Sequence, residues 1–148
     1  MAPQIVTALL QQGAVVKKTA RGHSMFPFIR DRDHLLMAIP QTHLRLGDIV
    51  VFQHPKFGGL AIHRIIGKRG NMFLIKGDNS KCPDGWLPKD KILAHIVSAE
   101  RNSDLLRPRL RIESAFIAFL SRAGLLIPLR KKIRMHMPRL VPFFYRLF

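Results

Sequence analysis

From residue 14 to residue 100 the apolar positions come in short runs, at 14–16, 35–39, 48–52, 60–66, 72–75 and 92–97. Gly, Pro, Asn and Asp separate them, which is the texture of strands joined by turns. Lys68-Arg69-Gly70-Asn71 reads as the turn of a hairpin between two of these runs. Strand runs so closely spaced favour an antiparallel sheet or barrel over an α/β fold. Ahead of them, residues 3–12 form a predicted short helix ending at Gly13.

After Asn102 the period changes. Ile112, Phe116, Phe119, Leu120 and Ala123 fall on one helical face, with Arg111, Glu113 and Arg122 elsewhere. Gly124 and Pro128 punctuate the chain there. A second stretch sets Leu129, Ile133, Met137 and Leu140 opposite Arg130, Lys131, Lys132 and Arg134, with Pro138 and Pro142 expected to kink or end it. Residues 141–148 are too apolar for a disordered tail. Two parts are therefore expected, a β domain over 1–104 and a basic amphipathic helical extension over 105–148.

Charge changes this picture. The chain of 148 residues carries 25 Lys and Arg against 9 Asp and Glu, a formal net charge of +16. Residues 101–148 hold 11 of those basic side chains and only 2 of the acidic ones. Such a segment is drawn to polyanions. Its cations sit on helices with broad apolar faces, which suits an anionic membrane surface, met peripherally through 111–148, better than nucleic acid. No apolar run approaches the roughly 18 residues of a membrane-spanning helix. The opening stretch lacks the basic n-region of an export signal. Cytoplasmic residence, with peripheral membrane contact, is the expectation.

Cys82 stands alone, so no internal disulfide forms. The seven His residues lack zinc-site spacing, and no glycine-rich phosphate loop follows a strand. No metal and no cofactor are expected.

Three short boxes carry candidate chemistry. In Gly22-His23-Ser24-Met25-Phe26-Pro27, a Ser in a strand-to-loop turn can expose its Oγ beside backbone N–H groups free to bind an oxyanion. Most such serines merely cap turns. In Ala61-Ile62-His63-Arg64-Ile65-Ile66, His63 lies in a strand pattern, where a lone His is more often structural. In the stretch from Ile75 to Asp84, the carboxylates of Asp78 and Asp84 lie six residues apart in a turn-rich loop.

Together with Gly47-Asp48-Ile49-Val50-Val51-Phe52, these boxes resemble type I signal peptidases in residue type, order and spacing. The likeness covers about residues 14 to 100. It is closest to the archaeal and endoplasmic-reticulum branch, which has His where typical bacterial enzymes have a catalytic Lys. The resemblance implies a mainly β, signal-peptidase-like antiparallel barrel or sheet, to which the residues themselves add the short N-terminal helix and the C-terminal amphipathic helices. It implies Ser24 as nucleophile, His63 as general base, Asp84 as the acid that orients the imidazole, and Asp78 as a nearby support. Backbone N–H groups at Ser24 and His23 would hold the oxyanion, and Met25 and Pro27 would shape the substrate cleft. The implied substrate is a peptide or protein cut after small residues, in an Ala-x-Ala-like site. The chain departs from the family in lacking an N-terminal anchor, in His23, and in a single Asp84 preceded by Pro83. Two other readings stand beside it. A self-cleaving repressor-type peptidase with a Ser–Lys dyad is opposed by His63 and the Gly-Asp-Asn box. A non-enzymatic basic binding protein is the other.

Overall fold

The computed structural model describes residues 3–40, 43–102, 104–106 and 111–136. A helix α1 (Pro3–Gln11) leads into strands β1 (Val16–Thr19), β2 (His34–Ala38), β3 (Ile49–Gln53), β4 (Leu60–Arg69) and β5 (Met72–Lys76). Then follow β6 (Gly85–Pro88), a single 3-10 turn, β7 (Ile92–Arg101) and β8 (Asp104–Leu106). Helices α2 (Arg111–Arg122) and α3 (Leu126–His136) close the described chain. All eight strands join one antiparallel sheet in the order β1-β2-β7-β3-β4-β5-β6, with β8 on β7. This is the mainly β architecture that the sequence predicts.

Alternation along the strands builds two cores on the two faces. On β3, Val50 and Phe52 join Leu44, Ile65, Phe73, Ile75 and Ile92 on one face. Val51 points the other way, to Val16, Met37 and Ala94, where Val6 and Leu10 of α1 cover the sheet. Both faces are buried, so the run at 48–52 is apolar without a break. The β4–β5 hairpin pairs Arg69 with Met72, leaving Gly70 and Asn71 as its two-residue turn. Gly70 takes φ 56° there, a backbone conformation that glycine enters without a Cβ penalty.

The first strand begins at Val16, two residues later than the apolar run suggests, because Ala14 closes α1 by bonding back to Leu9 O at 3.1 Å. The short strands β6 and β8 have no apolar run and went unpredicted; pairing with β5 and β7 makes them. Pro128 does not interrupt the last helix but lies in its first turn, where the backbone N–H has no intrahelical partner to lose. Helix α2 docks on the sheet with Ile117, Ala118, Leu120 and Ser121 buried, which leaves Phe116 and Phe119 more than half exposed. Its approach is close: a Cβ on Gly47 would come within 2.5 Å of the Ser114 backbone. The residues expected at Met137, Leu140 and 141–148 lie outside the described part.

Candidate active site

Three segments distant in sequence meet on one cavity of about 520 Å³, whose walls include Ser24, Met25, His54, His63, Ser80 and Asp84. The first segment is the excursion between β1 and β2. Its neck is closed by Ala20 N donating to Asp33 O at 2.7 Å and Arg32 N donating to Ala20 O at 3.0 Å. Arg101 grips the Asp33 carboxylate at 2.7 and 2.8 Å, so the neck is tied to β7 as well. Met25 and Ile29 anchor the excursion in a small core with Ala20 and Leu35. Ser24, one residue before this anchor, is exposed. The N–H groups of His23 and Ser24 make no hydrogen bond among the described residues, and of the two residues Ser24 lines the cavity.

The second segment is β4, which pairs His63 with Val50 of β3. His63 is buried, its ring 5.8 Å from that of Phe52. The third is the connection from β5 to β6. Asp84 stands just before β6, with its N–H donating to Ile75 O at 2.9 Å. Its Oδ2 lies 2.6 Å from His63 Nδ1. A carboxylate accepts, so the hydrogen of this bond belongs on Nδ1, and whenever the ring is neutral its Nε2, turned away from Asp84, is the bare nitrogen. Gly77 marks where Nε2 goes. A Cβ there would lie 3.0 Å from His63 Nε2, 2.8 Å from Ser24 O and 2.6 Å from Ser80 Oγ. These groups crowd one corner that glycine alone leaves open. Asn79 clips the corner shut: its N–H donates to Ser24 O at 2.7 Å and its side-chain amide to His23 O at 3.1 Å.

A hydroxyl, an imidazole with a free nitrogen and a carboxylate thus share one cavity. That set can activate an alcohol for attack on a carbonyl. The remaining residues singled out in the sequence fall elsewhere. Asp78 does not line the cavity. It meets Arg64 in a pair with exposures of 0 and 2%, at 2.8 to 3.1 Å, and Arg64 also donates to Gly47 O at 2.8 Å. Asp78 thus belongs to the buried frame between β4 and the loop after β5 rather than to the cavity wall. Met25 lines the cavity, whereas Pro27 is buried and does not line it.

Ser80 and His54, which also line the cavity, escape a reading of the sequence. Ser80 lies in the Gly-Asp-Asn loop with no distinguishing neighbour. His54 lies just beyond β3, and its Nε2 stands 3.6 Å from the second Asp84 oxygen, Oδ1. Lys56 N–H donates to His54 Nδ1 at 3.2 Å, which puts the ring hydrogen on Nε2, facing Asp84. The partner is thirty positions away, so only an alternating pattern carried past Gln53 hinted at it. Among the described residues no three His, Cys, Asp or Glu side chains are placed to hold a metal ion. Nor is any described helix long and apolar enough to cross a membrane.

No curated protein matches the chain significantly. The Peptidase S24-like family profile matches residues 4–97, from α1 through β7, and so spans the Ser24, His63 and Asp84 segments alike. With that match over more than half its length, the chain belongs to the Peptidase S24-like family.

Proposed function

We propose that this protein is a serine endopeptidase of the signal-peptidase kind, cutting after small residues in a leader or signal-type segment by a Ser-His-Asp mechanism. The family includes signal peptidases and self-cleaving repressors, so the peptidase class is common ground and the branch is the finer reading. One observation carries it: the 2.6 Å contact of His63 Nδ1 with Asp84 Oδ2 on a cavity that Ser24 also lines. In this reading His63 Nε2 takes the Ser24 proton as Oγ attacks the carbonyl. Asp84 holds the tautomer and stabilises the imidazolium, and the His23 and Ser24 N–H groups bind the oxyanion. His63 then returns the proton to the leaving amine, and water repeats the cycle on the acyl-enzyme. A Ser–Lys dyad finds less support. Lys76 is buried with its ammonium on Ser121 O at 2.5 Å, away from the cavity, and Lys18, the lysine that does line it, has no hydrogen bond to Ser24, whereas His63 is already oriented by Asp84. Contact with an anionic membrane through 111–148 belongs to the same proposal, supported by the exposed Phe116 and Phe119 beside basic helix faces.

The test is a peptide with an Ala-x-Ala site, assayed with purified protein. Ser24→Ala and His63→Ala are expected to abolish turnover, and Asp84→Asn to lower it by about four orders of magnitude, as in related triads. Wild-type turnover by Ser24→Ala would overturn the catalytic reading. Turnover kept in His63→Ala but lost in a lysine variant would replace the triad by a Ser–Lys dyad. A wild type that neither cuts peptides nor reacts with a serine-directed probe would favour the non-enzymatic binding protein.

A further inference from the structure

Lys18 differs from every other partly buried cation of the described structure. The alternation of β1 turns Val16, Lys18 and Ala20 to one face and Lys17 and Thr19 to the other. Lys17, facing out, finds Glu100 at 2.7 Å. Lys18 faces in and is half-buried on the wall of the cavity that holds Ser24, His63 and Asp84. The other Lys and Arg side chains withdrawn from solvent are all engaged. Arg64 meets Asp78, Arg101 meets Asp33, Lys76 meets Ser121 O, Arg30 lies over the Phe26 ring, and Lys89 has a partner too. Among the described residues, Lys18 alone of this set has no hydrogen bond, ion pair or ring contact. Arg21, exposed and likewise without a described partner, lines the same cavity. Asp84, the acidic residue on that wall, is already bonded to His63 and faced by His54.

An ammonium on a cavity wall without a partner leaves its charge and donors open, and a carboxylate arriving beside it gains a charge-assisted hydrogen bond. The rest of the wall supplies apolar contact from Met25, Ile29, Met37, Val51 and Ile62. We propose that the cavity recognises a peptide segment with a side-chain carboxylate, held by the Lys18 ammonium with Arg21 at the rim. The substrates are then acidic segments that also offer small residues for cleavage. The proposal rests on the peptidase reading for its turnover but not for its binding. The net charge of +16 draws acidic segments in at a distance, and Lys18 selects among them at contact.

C-terminally amidated Ala-x-Ala peptides that differ by Glu or Gln at single positions near the cut remove the terminal carboxylate as a source. At one or more positions, Glu is expected to raise kcat/KM roughly ten- to hundredfold over Gln, the range of one charge-assisted hydrogen bond. Lys18→Arg should keep that ratio, Lys18→Gln should bring it close to unity, and Lys18→Glu should favour a Lys-substituted peptide. Equal kcat/KM for Glu and Gln peptides in the wild type overturns the proposal, as does an unchanged ratio in Lys18→Gln. Complete loss of turnover in Lys18→Gln, neutral peptide included, overturns it as well and assigns the amine to the chemistry. Binding of the same labelled peptides to Ser24→Ala protein, read by anisotropy, separates the two readings. A Glu preference in binding without wild-type turnover upholds the carboxylate site and sinks the peptidase.

Discussion

Asp84 has two oxygens and each faces a histidine. Oδ2 is spent on His63 Nδ1 at 2.6 Å, while Oδ1 looks across 3.6 Å to His54 Nε2. The Lys56 N–H fixes the His54 tautomer, and Phe52 and Phe57 flank the ring. At 3.6 Å the pair is too long for a hydrogen bond, so His54 is expected to act as a positioning residue only through the attraction of its N–H dipole for the second Asp84 oxygen. Replacing it with Phe keeps the ring stacking and removes the donor. His54→Phe is expected to lower kcat roughly threefold, the effect of a longer-range attraction of about 0.6 kcal/mol, and to leave KM within a factor of about two. His54→Gln, which retains an N–H near the Nε2 position, should recover most of the loss. A rise in KM with kcat unchanged, or equal damage from Gln and Phe, would show that the residue only shapes the cavity. At this scale Ser24, His63 and Asp84 were legible from their boxes because each sits in a short motif. His54 was not, since its meaning depends on Asp84 and on a hydrogen bond to its own loop.

At the scale of elements, α2 is fastened to the sheet by an unusual bond. Lys76 ends β5 on a buried position, and its ammonium meets the Ser121 carbonyl of α2. Burial pulls its pKa below the ordinary lysine value, with Asp78 and Cys82 opposing the shift. Because the folded value lies below the unfolded one, folding releases a proton from Lys76 wherever the pH falls between the two. The unfolded state binds more protons there, so this contribution to stability rises with pH toward the unfolded value near 10.5. Replacing Lys76 with Met removes that slope. The difference in urea midpoint between wild type and Lys76→Met is expected to shift in favour of the wild type as pH increases through the alkaline range. A difference that stays flat would place the ammonium in solvent. The helical period of 111–122 was readable in the sequence, but the docking face was not. Of the face marked by the apolar pattern, Leu120 is buried with Ile117 and Ser121, while Phe116 and Phe119 look outward. Small side chains let α2 approach β4 closely, and Gly47 and Gly67 make room for Ser114 and Arg122.

For the molecule as a whole, the asymmetry of charge and the outward aromatics point in one direction. Phe116 is 56% and Phe119 64% exposed, and Lys131, Lys132 and Arg134 lie exposed on the following helix. Basic side chains near an anionic surface contribute roughly 1 kcal/mol each, so a few suffice to hold a protein there at low salt. The protein is expected to sediment with anionic liposomes at low salt and to stay in solution with neutral ones. Phe116→Ser combined with Phe119→Ser should weaken the binding, while leaving the buried Ile117–Leu120 contact in place. Equal pelleting of the wild type with neutral vesicles, or no loss in the double variant, would exclude this surface. By itself the sequence determined the strand runs, the β4–β5 turn, the mainly β class and the three boxes that carry the candidate chemistry. Those features depend on residues close together in the chain, through alternation, turn preferences and motif spacing. Tertiary structure decided what spacing cannot encode. It made strands of 85–88 and 104–106 by pairing, turned Asp78 inward onto Arg64, brought His54 to Asp84 and left Lys18 facing the cavity without a partner. Apart from the local β7–β8 turn, each of these depends on how segments apart in the chain are placed against one another, and its energy exists only once the sheet has brought them together.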